Sequence, residues 1–139
     1  MSTLMLFSMK LRLSDDEHKL AEPIVKNYCK HISVVNDICS YDKEARAAAG
    51  GYDCGMLCNA VPVMMELGRI GVDSAKRILW AVCREWETRH VELVEELKAK
   101  IIPPGLQRYI EGLEYQMGGN ETWSRSTPRY NDADHDSIG

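Results

Sequence analysis

The chain has 139 residues, which allows at most one domain. Its formal net charge of −4 argues against a surface that binds nucleic-acid phosphates, and its longest apolar runs are too short to span a membrane. Hydrophobic residues make up 45% of the chain, which is typical of a globular protein with an apolar core.

The cysteine pattern does not resemble a disulfide framework. The chain has five cysteines, an odd number, which indicates reduced thiols in a cytoplasmic protein. Cys54 and Cys58 lie four positions apart and could share a metal ion. No second Cys or His pair accompanies them, so we interpret both as small buried apolar residues.

The first third of the chain predicts helices. Residues 4–13 are apolar and rich in methionine, as in the end of a buried helix. Ser14 and Glu17 have the spacing of a capping box, so a helix begins there. A further helix is predicted from about Pro23, in its first turn, to the region of Arg46. Its apolar face consists of Ile24, Tyr28, Ile32, Val35 and Cys39.

The middle of the chain predicts two more helices. After the glycine pair 50–51 and a loop over 52–55, a helix is predicted over 57–67 with Pro62 near its start. Asp73 or Ser74 is the expected cap of the next helix, from Ala75 to about Lys98. Its apolar stripe is predicted to consist of Ile78, Leu79, Val82, Trp86, Leu93 and Leu97.

The last predicted helix follows the proline pair 103–104. Its apolar face is Leu106, Tyr109, Ile110, Leu113 and Met117. The glycine pair 118–119 is expected to end or loosen this helix, and the polar residues 131–139 are predicted to be a disordered tail. No segment has a convincing strand pattern, so the predicted fold class is all-α.

Three oxygen-bearing residues recur every four positions in the second predicted helix. Asn36, Ser40 and Glu44 therefore lie along one side of that helix, about 6 Å apart in rise. Ser40 is the shortest of the three, so a small ion can approach the helix there. Oxygen ligands from one side are typical of Mg²⁺, which keeps other positions for water and substrate phosphate. We interpret this ladder as half of a magnesium site.

A second chemical signal lies near the C-terminus. Arg129 offers a planar fork of donors suited to phosphate oxygens, and Tyr130 follows it with a hydroxyl. Trp123 offers an aromatic face that can stabilise a cation. An Arg-Tyr pair alone is weak evidence and is equally typical of a surface salt bridge.

Together, the two signals resemble a known family. The chain contains N-D-x-x-S-x-x-x-E followed by W-S-x-x-x-x-R-Y, and this order resembles the C-terminal half of fungal class I sesquiterpene synthases of the aristolochene synthase type. Residues 74–87 and 112–117 read like the same group, as do residues 7–9. The resemblance implies a partial class I terpene synthase helical bundle over residues 1–130, with the C-terminal helices only.

The resemblance also implies a metal site. Asn36, Ser40 and Glu44 would bind one Mg²⁺ of a three-metal cluster. Asp37 would act indirectly, by orienting Asn36 or by neutralising a nearby cation.

The diphosphate of the substrate would be bound next to that metal. By resemblance, Lys43, Arg129 and Tyr130 would contact the diphosphate, and Trp123 would line the hydrocarbon cavity and stabilise a carbocation. The implied activity is Mg²⁺-dependent conversion of farnesyl diphosphate to a cyclic hydrocarbon and diphosphate.

One part of the family pattern is missing from the chain. The family's aspartate-rich motif lies upstream of the ladder, whereas the acidic residues here, 15–17, are followed by Lys19 where the last acid should be. We therefore expect a truncated chain that is inactive alone and needs an N-terminal half or a homodimer partner. The alternative is a non-catalytic helical remnant, or an interaction module that pairs with an intact cyclase.

Overall fold

The computed structural model describes residues 10–51 and 58–131, except for the side chains of Arg129 and Asn131. These residues form no strand and five helices, which we number α1 (Asp15–Ala49), α2 (Ala60–Gly68), α3 (Val72–Lys98), α4 (Pro104–Ser126) and α5 (Pro128–Asn131). The all-α prediction is confirmed for this part of the chain. Our predictions for residues 4–9, for the loop 52–55, for Cys54 and for the tail 132–139 lie outside the described residues.

Helix α1 is the longest helix of the described residues, and each of the other four helices contacts it. Ser14 caps it with the predicted capping box, because its side chain accepts from the backbone of Glu17 and its own N–H donates to the Glu17 carboxylate at 2.7 Å. The helix then runs without a break through Pro23, so our prediction of a separate helix beginning at Pro23 was wrong. Burial of Ala21 and Ile24 on either side of Pro23 offsets the hydrogen bond that proline cannot make.

The residues before α1 are not helical where they are described. Lys10 lies in a turn with φ 53°, and residues 11–13 have no regular structure. The predicted helix over 4–13 is therefore wrong for its last four residues. Leu11 and Leu13 nevertheless pack against the core, which explains their apolar character.

The boundaries of α2 and α3 differ slightly from the sequence prediction. Helix α2 begins at Ala60, capped by the Asn59 side chain, and Pro62 lies in its first turn as expected. Helix α3 begins at Val72 after Gly71, so neither Asp73 nor Ser74 is its cap, and the helix ends at Lys98 as predicted. Among the described residues, no helix has the length and apolarity needed to cross a membrane.

The buried face of α3 differs from the predicted stripe. Ile78 is 42% exposed, and Val82, Trp86 and Leu93 are only partly buried. Leu79 and Leu97 of the predicted stripe are buried, together with Ala75, Cys83, His90 and Val94, which the stripe did not include. The predicted stripe was therefore only partly right, and it missed Ala75, Cys83 and His90 because alanine, cysteine and histidine carry little apolar signal.

Helix α4 has the predicted apolar face. Leu106, Tyr109, Ile110, Leu113 and Met117 are all buried. The helix continues through the glycine pair 118–119 to Ser126, so these glycines neither end nor interrupt it. A Cβ at either glycine would meet no atom within 4 Å, which means that close packing does not require glycine there.

The core has two clusters that lie along α1. One contains the N-terminal half of α1 with the end of α3 and with α4, including Ile24, Val94 and Leu113. The other contains the C-terminal half of α1 with α2 and the start of α3, including Val35 and Val61. The polar ladder of α1 lies in the half of the helix that packs against α2.

Candidate functional site

The three ladder residues face one open cleft. This cleft has a volume of about 530 Å³, and it is lined by Asn36, Ser40, Lys43, Glu44, Ala47, Trp123 and Tyr130. The structure thus brings together six of the residues that the sequence analysis selected, from α1, α4 and α5. The backbone of Arg129 lies in α5 beside Tyr130, but its side chain is outside the described part of the structure.

Ser40 places a buried hydroxyl without a described hydrogen bond in the cleft. It is 3% exposed, and its hydroxyl oxygen has no hydrogen-bond partner among the described residues. A buried hydroxyl without a partner is costly to a folded protein. Its place between the Asn36 amide and the Glu44 carboxylate gives three oxygen ligands on one helix side, a set that fits Mg²⁺.

The C-terminal residues contact the ladder directly. The Tyr130 hydroxyl donates to Asn36 Oδ1 at 2.7 Å, although 94 positions separate the two residues. The Trp123 ring lies edge-on to the Tyr130 ring, with centroids 5.8 Å apart. These contacts hold the end of α4 and the short helix α5 against the side of α1 that carries the ladder.

Asp37 does not line this cleft. Its carboxylate accepts from the backbone N–H of Ala60 at 2.9 Å, at the N-terminus of α2. Burial raises the pKa of the Asp37 carboxyl, the hydrogen bond from Ala60 opposes this shift, and the nearby Glu44 charge adds to it. The structure therefore links Asp37 to α2, whereas an effect on Asn36 or on a cation stays a prediction.

Asn59 is a site residue that the sequence analysis missed. Its side-chain amide donates to Glu44 Oε2 at 3.1 Å and to the Asp37 backbone oxygen at 2.9 Å. The only local signal was that asparagine is a frequent helix cap. Its contact with the ladder depends on how α2 packs against α1, which the sequence pattern does not show.

A second cavity lies between α1 and α4. It has a volume of about 350 Å³ and is lined by Tyr28, Ile32, Tyr115, Gln116, Gly119 and Asn120. Ile32 lies one turn before Asn36 on α1, and Asn120 lies nearly one turn before Trp123 on α4. The polar cleft thus has a more apolar neighbour along the groove between α1 and α4.

A separate charged cluster joins α1, α3 and α4. His31, Glu87 and Glu121 place ligand atoms within 4.8 Å of one another, which is close enough for a metal ion. The Arg84 guanidinium already lies between the two carboxylates, and they hold its pKa above the ordinary value. We therefore interpret the cluster as an ion-pair network that stabilises helix packing.

The thiols take no part in the cleft. Cys29, Cys39, Cys58 and Cys83 are unpaired in the part of the chain that the structure describes. Cys58 is exposed, so our interpretation of it as a buried apolar residue was wrong. Burial raises the pKa of the Cys83 thiol to about 11, which keeps it protonated and unreactive.

The described residues form an all-helical fold in which an oxygen ladder faces an aromatic C-terminal segment, an arrangement consistent with a helical metal-binding protein. The family described as "Terpene synthase family 2, C-terminal metal binding" matches residues 1–89. The chain belongs to this family.

Characterised relatives extend the match to most of the chain. It is 49% identical over 137 residues to the aristolochene synthase of Penicillium roqueforti, covering 94% of this chain and 39% of that protein. It is 46% identical over 132 residues to the aristolochene synthase of Aspergillus terreus, covering 94% and 41%. The match to the fusicoccadiene synthase of Phomopsis amygdali is 31% identical over 129 residues, covering 92% and 18%.

The fold comparison agrees with the sequence comparison. The crystal structure of aristolochene synthase from Penicillium roqueforti matches with a TM-score of 0.79 at 46% identity, over 91% of this chain and 41% of that one. The predicted class, a partial class I terpene synthase helical fold, is thereby confirmed. The chain spans about two-fifths of the length of the aristolochene synthases it matches.

Proposed function

We propose that the chain forms the metal- and diphosphate-binding part of a sesquiterpene cyclase. This enzyme would convert farnesyl diphosphate to a cyclic hydrocarbon and diphosphate, with Mg²⁺ as the metal. The observation that carries the proposal is the common cleft of the ladder, Trp123 and Tyr130. These elements are distant in sequence, and each supplies a group that diphosphate departure requires.

The chemistry of the cleft suits a leaving group with several negative charges. A bound Mg²⁺ supplies charge neutralisation for a departing diphosphate. Lys43 lies beside the ladder and would add a mobile cation. Arg129 would donate to phosphate oxygens, and the Tyr130 hydroxyl would do so by exchanging its hydrogen bond to Asn36 Oδ1 for one to the diphosphate. The Trp123 ring stabilises the carbocation that remains when the carbon–oxygen bond breaks.

The second cavity suits the hydrocarbon part of the substrate. Ile32, Tyr28 and Tyr115 line it with apolar and aromatic surface, next to the polar cleft along the same groove. The described residues leave this groove open to solvent, and water captures a carbocation that is not enclosed. A further surface over the groove would exclude water, and we propose that an N-terminal half or a second copy of the chain supplies it.

The alternative function, a non-catalytic module that pairs with an intact cyclase, has one observation in its favour. Val63 and Leu67 lie one turn apart on α2, and they are 55% and 78% exposed. Neighbouring exposed apolar side chains would suit a surface that another chain covers. In this case the ladder residues would be inherited without use.

Product analysis separates the two functions. We expect no hydrocarbon, detected by gas chromatography, from farnesyl diphosphate and Mg²⁺ with this chain alone. We expect a cyclic product when the chain is co-expressed with the N-terminal three-fifths of the Penicillium roqueforti relative.

Variants of the ladder complete the test. In the co-expressed system, Ser40→Ala and Glu44→Ala should remove most of the product, while Ser33→Ala, an exposed serine on the same helix, should leave it unchanged. Equal product from all variants would disprove the assignment of the ladder. Tight association with no product and no Mg²⁺-dependent pyrophosphate binding by calorimetry would support the alternative.

A further inference from the structure

We propose that Asn59 is a positioning residue, which fixes the Glu44 carboxylate in the orientation that a divalent cation in the cleft requires. The inference rests on the proposed function, because Glu44 is one of the proposed metal ligands. Asn59 itself need not touch the metal or the substrate. It lies in the connection before α2 and acts on α1 from outside the cleft.

The amide group of Asn59 connects two positions of α1. Its nitrogen donates to Glu44 Oε2 at 3.1 Å and to the backbone oxygen of Asp37 at 2.9 Å. Both amide hydrogens therefore have an acceptor, and the two acceptors lie seven residues, about two helical turns, apart. Because Oε2 accepts this bond, we expect Oε1 to be the oxygen that a cation in the cleft would contact.

Asn59 is itself held in place, so it can act as a fixed support. It is 4% exposed, and its side-chain oxygen accepts from the Val61 N–H at 2.9 Å. The neighbouring Ala60 N–H donates to the Asp37 carboxylate at 2.9 Å, which ties the same end of α2 to α1. The fully buried Val61 anchors α2 in the core beside these bonds.

Charge also favours an amide at this position. The neutral Asn59 amide places donor hydrogens beside the Glu44 carboxylate without adding a counter-charge that would compete with a metal ion. Glutamate otherwise has three rotatable bonds, and the rotamer freedom lost on metal binding weakens the affinity about tenfold.

The test measures Mn²⁺ binding to the full chain by electron paramagnetic resonance, with inorganic pyrophosphate present. Asn59→Ser keeps a good helix cap but is too short to donate to Glu44. We expect it to bind Mn²⁺ about tenfold more weakly than the parent. The matched control, Val94→Ala, loosens the other core cluster but leaves α2 and the amide in place, and it should bind within about twofold of the parent.

The outcomes separate this inference from the proposed function. If the parent binds and Asn59→Ser binds equally well, or Val94→Ala loses as much as Asn59→Ser, the positioning role is disproved and the proposed function is unaffected. If the parent binds no Mn²⁺, both fail. A measurement without metal covers the case in which Asn59→Ser does not fold. In the Glu44→Gln variant, the NMR signals of the Asn59 side-chain amide should shift relative to the parent. Unchanged signals would overturn the inference.

Discussion

Removal of the Ser40 hydroxyl should stabilise the metal-free chain and abolish its response to metal. The hydroxyl oxygen is buried and has no hydrogen-bond partner among the described residues. In Ser40→Ala the unsatisfied polar atom disappears, and the cavity that remains is smaller than one methyl group. The same oxygen is a proposed metal ligand. The substitution should therefore raise the stability of the metal-free chain and remove the stability that metal binding adds.

The magnitude follows from two contributions. An unsatisfied buried hydroxyl costs about 1–3 kcal/mol, and the higher helix propensity of alanine adds about 0.5 kcal/mol. The free energy of unfolding should therefore rise by about 1.5–3.5 kcal/mol without metal. With Mn²⁺ at about one hundred times its dissociation constant, the parent gains about 2.7 kcal/mol and the variant gains none.

Urea denaturation followed by circular dichroism measures both effects. The parent, Ser40→Ala and Ser33→Ala are compared with and without Mn²⁺ and pyrophosphate. Ser33 lies on the same helix and is exposed, so Ser33→Ala reports helix propensity alone.

Two results would contradict this reasoning. If Ser40→Ala is no more stable than Ser33→Ala without metal, the buried hydroxyl has a partner in solution. If Ser40→Ala gains as much stability from Mn²⁺ and pyrophosphate as the parent does, Ser40 is not a ligand.

Two further predictions concern the core and the pH dependence. Leu113→Ala should lower the free energy of unfolding by about 2–5 kcal/mol because Leu113 is 0% exposed. The control Leu67→Ala, at a position that is 78% exposed, should change it by less than about 0.5 kcal/mol. Similar losses for the two variants in urea denaturation would mean that Leu113 is not in the core. Burial lowers the pKa of His90 from its ordinary value of 6.5, the nearby His31 adds to this shift, and Glu114 opposes it. The unfolded chain therefore takes up a proton at a higher pH than the folded chain does, and stability should fall below about pH 6.5. His90→Gln should reduce the difference in urea midpoint between pH 7.5 and pH 5.5, and an unchanged difference would assign the pH dependence to other groups.

Part of the site could be predicted from the sequence because its geometry is local. Asn36, Ser40 and Glu44 share one side of α1 through the helical repeat alone, which requires no knowledge of the rest of the chain. Trp123 and Tyr130 were associated with the ladder only through the resemblance to a family. Asn59 has no such pattern, because its contact with Glu44 arises where α2 packs against α1.

The sequence by itself determined the helical class, the Ser14 cap and the apolar face of α4, since each depends on neighbours within a few residues. Only the tertiary structure decided that Pro23 lies inside α1 and that His90 lies in the buried face of α3. These outcomes depend on burial against distant segments. The free energy of such packing outweighs local preferences, and no short stretch of sequence contains it.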